Sequence, residues 1–151
     1  MADHRYWRVN ITLANNINGY LAIAEMEMRG ASGGENLCTD PAKISSSAYT
    51  AQKDKLIDSD ISGGNYWSTD GDLPSWFSYD FTTEITIREV AFLCNFSTSN
   101  TPKDLHLQHS DDGLTWTTVF SWIDRDAWVL NTWVAFTVPG PFTGTLCGRS
   151  S

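Results

Sequence analysis

The most constraining feature of this sequence is a side-chain alternation with a period of two that recurs along most of its length. Trp7, Val9, Ile11 and Leu13 alternate with Arg8, Asn10 and Thr12, the pattern of a strand with one buried face. Ala24, Met26 and Met28 alternate with Glu25, Glu27 and Arg29, which predicts a second strand with a charged outer face. Phe77, Tyr79 and Phe81 alternate with Trp76, Ser78 and Asp80. Ile85 and Ile87 follow, and Val90, Phe92 and Cys94 resume in the opposite phase, so a bulge is predicted near Arg88 and Glu89. Leu105 with Leu107, then Trp116, Thr118 and Phe120, then Val134, Phe136 and Val138 complete the series. Pro139-Gly140-Pro141 ends it, because proline cannot donate to a ladder. Short alternating strands without a long amphipathic helix predict an all-β sandwich or barrel.

The turns are written just as locally. Asn15-Asn16 and Asn18-Gly19 mark one loop, and Gly30 to Gly34 breaks the second strand. Residues 35–75 carry Ser45-Ser46-Ser47, Ser62-Gly63-Gly64-Asn65 and Asp70-Gly71-Asp72, and read as long loops around short pieces of structure. Ala48 to Ile57 holds either a short helix or an edge strand. Ser110-Asp111-Asp112-Gly113 supplies the positive φ of a tight hairpin. The 151 residues suit one domain, with its core over about 4–138 and a tail from 139 to 151.

Charge narrows the partners. Ten Lys and Arg against eighteen Asp and Glu give −8, the wrong sign for gripping phosphates or an anionic membrane. No apolar run reaches the ~18–20 residues of a membrane span, and the opening residues are too polar for a signal peptide. The expectation is synthesis in a host cytoplasm and delivery as part of a particle. Cys38, Cys94 and Cys147 show no zinc spacing. Cys94 reads as a buried thiol, while Cys38 and Cys147 either pair or stay free. His106 and His109 face opposite sides of one strand, so they do not share a metal. No nucleophile elbow, zinc helix or phosphate loop occurs, and the expectation is a protein that is not an enzyme.

Four stretches together resemble the discoidin-like, or coagulation-factor 5/8 type C, domains. These are His4 to Arg8 with Ile23 to Met28; Lys55 to Asp60 with Tyr66-Trp67-Ser68; Leu73 to Phe81; and Leu105 to Thr117, which is similar to the family's L-Q-x-S-D-D-G-x-T-W-T hairpin. The resemblance implies a jelly-roll β-sandwich of galactose-binding-like type, with Trp67 and Trp116 in or near the core. It also implies a structural calcium in some members. Asp58 and Asp60 alternate in the matching loop and supply two candidate ligands; the other reading is that they cap turns. The opening His-Arg-Tyr-Trp-Arg is similar to bacteriophage tail and virion modules.

Sugars bind through their C–H faces on aromatic rings, with planar polar groups on the hydroxyls. Two loop-rich stretches offer that mixture: Tyr66, Asp70, Asp72 and Trp76, and Trp122, Asp124, Arg125, Asp126 and Trp128, with Trp122 and Trp128 expected at the surface. The expected function is non-catalytic glycan recognition by a virion protein, tail-associated or displayed on the capsid in many copies. The alternative is a decoration or adaptor protein that binds other virion proteins and no sugar.

Overall fold

The alternating opening segment, His4–Ala14, pairs on both of its edges and lies at the centre of a sheet. The computed structural model describes residues 3–126 and 128–140. Strand β1 (His4–Ala14) is followed by β2 (Tyr20–Ile23), β3 (Glu25–Arg29), β4 (Ile44–Ser46) and β5 (Trp67–Asp70). Then come β6 (Ser75–Ile85), β7 (Glu89–Leu93), β8 (Pro102–Ser110), β9 (Thr117–Trp122) and β10 (Trp133–Thr137). One sheet has five strands in the order β4-β6-β1-β8-β9; a second has β10-β7-β3; β2 and β5 pair separately. Every ladder is antiparallel.

The five- and three-stranded sheets enclose the core. Trp7, Val9, Ile11, Phe77, Leu105 and Leu107 point inward from one, and Met26, Met28, Val90 and Phe92 from the other. Phe77 meets Phe92 edge to face at 5.9 Å, and Trp67 meets Phe77 at 5.4 Å. The all-β sandwich is therefore the observed fold. Cys38 and Cys94 are buried, and burial pushes the Cys94 thiol up to about 12. Cys147, and with it any pairing to Cys38, lies outside the described residues, as does the tail from 141.

Local expectations fail where neighbours intervene. Leu13 is not in the core: a register shift after Ile11 turns it outward and brings Ala14 in instead. The phase slip at Arg88 and Glu89 is not a bulge. The chain leaves the five-stranded sheet at Ile85 and enters the three-stranded sheet at Glu89, so the inward side changes with the sheet. The Asp-Gly connection is not a two-residue turn, because β8 ends at Ser110 and β9 begins at Thr117. Gly113 does take φ +75°, and the Asp112 carboxylate accepts from the Leu114 and Thr115 amides at 2.8 and 2.9 Å. A bulge at Val119 then sends Thr118 outward and Phe120 inward. Thr50–Ile57 is a run of 3₁₀ turns with Leu56 and Ile57 buried, the helical alternative for that segment.

The outer face of β3 is not simply solvated. Glu25 is 5% exposed and accepts the Ser59 amide at 2.7 Å. Burial, then contact with Asp58, pushes its carboxyl up to about 8. Glu89 is also buried, but donors surround it. Arg29 Nη1 lies 2.7 Å away, the Gly33 amide donates at 2.9 Å, and the Thr137 hydroxyl bonds its other oxygen. Burial by itself would raise this carboxyl; the hydrogen bonds outweigh it and hold the group down at about 2. These contacts tie β3, β7 and β10 together through one side chain.

Candidate functional site

Two edge strands of the sandwich, β9 and β10, leave a cleft of about 480 Å³ between them. Asp124, Arg125, Asp126 and Trp128 and the residues Val134 to Thr137 line it, with Trp122 at the end of β9. Trp122 is half-buried and lies 5.2 Å from Phe120 and 5.5 Å from Phe136. Lys103 holds Asp124 at 3.1 Å, and the Arg125 amide bonds the Lys103 carbonyl at 2.9 Å, which fixes the loop against β8. Asp124, Arg125 and Asp126 are exposed. Trp128 is not at the surface: it is 5% exposed and packs on Phe92 and Phe136 at 5.7 and 5.3 Å. It closes the base of the cleft, because the apolar floor between the sheets has room for a large ring. The volume and the mixture of indole, guanidinium and carboxylates suit a small polar ligand.

The first predicted group does not assemble. Tyr66 packs at a tilt against exposed Phe96 at 5.2 Å, beside the loop that follows Asp58. Asp70 and Asp72 are exposed near Tyr49, whose hydroxyl is pushed up by partial burial and by those two charges. Trp76 stands elsewhere, on the outer face of β6. The strand period separates it from its sequence neighbours. Trp67 is in the core, as expected, with its indole N–H on the Ala48 carbonyl at 3.0 Å. Trp116 is not core packing. It is partly exposed, lies 4.3 Å under the Arg8 guanidinium, and lines a second cleft with Trp76. Its position one residue before β9 was the available signal, since a loop residue is free of the inward alternation. His106 and His109 do face opposite sides: His106 bonds Thr12 and Ser121 on the outer face, and His109 stacks on His4 at 3.5 Å.

Asp58 and Asp60 both act within their loop. Asp58 accepts the Asp60 amide at 2.9 Å, and Asp60 accepts the Ser62 amide at 3.0 Å and its hydroxyl at 2.6 Å. The same loop gathers oxygens around two amides. Asn65 Nδ2 lies within 3.3 Å of both Asp58 oxygens and the Asp60 carbonyl. Asn95 Nδ2 lies 3.1, 2.9 and 3.4 Å from the carbonyls of Ile61, Ser62 and Asn65, while its Oδ1 is buried with no partner. The two ends of an amide are close in shape. Turning Asn95 over leaves oxygens alone around that point, a donor set that fits a hard cation. Among the described residues no group of three or more His, Cys, Asp and Glu converges, so such a set is rich in carbonyls.

The sequence model of the F5/8 type C domain matches residues 41–145, well over half of the chain. The chain belongs to the F5/8 type C domain family. This is a family of binding domains, and its members often take carbohydrates or other ligands. The match includes the Asp58–Asn65 loop, both clefts except for Tyr6, and the β8–β9 connection. No curated protein and no solved structure matches the chain. Among the described residues no helix is long and apolar enough to cross a membrane.

Proposed function

We propose that this F5/8 type C domain recognises carbohydrate without catalysis, as a tail-associated or capsid-displayed protein of a bacteriophage virion. One observation carries the sugar reading: the open cleft at the sandwich edge where Trp122, Arg125 and the carboxylates of Asp124 and Asp126 meet. Family membership supports it, and the likeness of His4 to Arg8 to phage modules supports the virion setting. Wet polar contacts return little net energy each, so one site binds weakly and repeated copies supply avidity.

The test is a glycan array probed with the domain on a multivalent support. Arg125→Ala, an exposed change, is expected to weaken the positive spots about tenfold, the worth of one charge-assisted hydrogen bond. A folded, multivalent domain silent across a broad array overturns the reading. That result favours the alternative, docking to other virion proteins. Exposed Ile17, Leu13 and Ile123 at one end of β1, β8 and β9 support that second reading.

We also propose that the Asp58–Asn65 loop holds a structural calcium through Asp58, loop carbonyls and Asn95. Calcium in hundredfold excess over its dissociation constant adds about 2.7 kcal/mol, or roughly 5–10 °C in melting temperature at this size. Scanning calorimetry with calcium and with chelator is expected to show that gap, and Asp58→Asn is expected to remove it. Identical melting in both buffers excludes the ion.

A further inference from the structure

The outer face of the five-stranded sheet is polar along most of its rows, as a solvated antiparallel face should be. Asn10, Thr12, Ser78, His106, Gln108, Thr118 and Ser121 occupy it. At one end three aromatic rings interrupt that rule. Tyr6, Trp76 and Trp116 surround a cleft of about 330 Å³, completed by Lys43, Ser45, Ser78 and Asp80. Ser45 and Ser78 are register partners on β4 and β6, so their backbones are neighbours.

The rings are fixed in place. The Arg8 guanidinium carbon lies 4.3 Å from the Trp116 ring centre and 5.3 Å from that of Trp76. Arg8 Nε is itself held by Gln108 at 2.6 Å, and Gln108 by Thr118 at 3.0 Å. Gly113 brings the β8–β9 loop down over Tyr6; a Cβ there would lie 3.4 Å from that ring, at a φ of +75° that disfavours any side chain. An aromatic pair braced this way loses little freedom when a ligand arrives.

The charge of the cleft opposes that of the chain. Its one carboxylate, Asp80, is neutralised by a two-pronged bond from Arg5 at 2.8 and 2.9 Å. Among the described residues Arg8 has no carboxylate within 4 Å, although burial removes part of its water and lowers its pKa. Lys43 has Asp40 only at 3.9 Å. A molecule with net charge −8 thus keeps Arg8, without a carboxylate partner among the described residues, beside one aromatic cleft, and lines that cleft with Lys43, whose bridge to Asp40 is long.

We infer that this cleft is a second, separate site, which takes a sugar residue bearing a carboxylate, of the uronic or sialic acid class. Trp76 and Trp116 take the apolar faces of the ring, Ser45 and Ser78 its hydroxyls, and Lys43 draws the carboxylate. Arg8 is a positioning residue that braces the indoles and adds its charge. The site shares with the reading above only the class of ligand, and it stands or falls independently.

The experiment follows the indole N–H signals of the seven tryptophans in a ¹⁵N-labelled domain. Glucuronic acid, N-acetylneuraminic acid and galactose are titrated in turn. The two acids are expected to shift the Trp76 and Trp116 signals, more weakly at high salt, and galactose is expected to leave those two unmoved. Lys43→Gln, on a half-buried side chain, is expected to weaken the acids about fivefold, the size of one surface charge contact. Arg8→Lys keeps the charge but loses the planar stack, and is expected to move both indole signals before any sugar is added. Trp116→Ala is expected to abolish the response while the Trp122 and Trp128 signals stay in place, which reports a folded domain. Equal shifts with galactose overturn the acidic preference. Shifts confined to Trp122 and Trp128 overturn this site and leave the first cleft standing. Shifts confined to Trp76 and Trp116 support this site alone.

Discussion

Glu89→Ala is expected to destabilise the domain by about 3 kcal/mol, read from the midpoint of a denaturant melt. Removing one partner of a buried ion pair costs roughly 3–5 kcal/mol because the other charge is stranded. The lower figure applies here because Arg29 keeps Glu27 at 2.8 Å. The Gly33 amide and the Thr137 hydroxyl still lose their acceptor. Glu89→Gln retains one acceptor and is expected to cost about half as much. The same residue sets an acid limit. Its carboxyl lies at about 2 in the fold against an ordinary 4.5. The unfolded chain therefore takes up the proton first as pH falls. The contribution, on the order of 3 kcal/mol, is whole above about 4.5 and disappears as pH drops through about 2. The wild-type protein is expected to lose stability across that window with a slope one proton steeper than Glu89→Gln. Parallel curves for the two proteins would show that Glu89 carries no such linkage.

Phe92→Ala is expected to cost about 3–5 kcal/mol, the range for deleting a buried aromatic ring. Phe92 is fully buried on the central strand of the three-stranded sheet. It touches Phe77 from the opposite sheet and both Phe136 and Trp128 beneath the edge cleft. The cavity therefore opens under the cleft floor. Phe92→Leu is expected to fold with a smaller loss and to shift the Trp128 indole signal. An unchanged Trp128 signal in that variant would show that the floor does not rest on Phe92.

Much of the interior was legible because facing is a local property of a strand. Trp7, Val9, Ile11, Met26, Met28, Phe77 and Leu105 could be assigned inward from their spacing, and all are buried. Gly113 could be assigned its positive φ from its place after Asp112. Errors arose where a pattern had two physical causes. A phase slip at Arg88 and Glu89 looks the same for a bulge as for a change of sheet, and only the pairing of β7 with β3 and β10 separates them. Trp128 sits in a charged loop, and local polarity says nothing of the Phe92 and Phe136 rings waiting for it.

The candidate sites divide in the same way. Trp122, Arg125 and Trp128 line one cleft because they are close in sequence, just after β9. Tyr66, Asp70, Asp72 and Trp76 do not share one surface, because β5, a turn and the start of β6 carry them apart. Trp76 meets Trp116 and Arg8 only through the β6-β1-β8 order. The sequence by itself determined the fold class, the inward residues and the turn chemistry, because each depends on a residue and its near neighbours along the chain. The tertiary structure alone decided which outward residues share a surface and which charges stay uncompensated there. Strand order and register join positions far apart in the chain, and no local period encodes that choice.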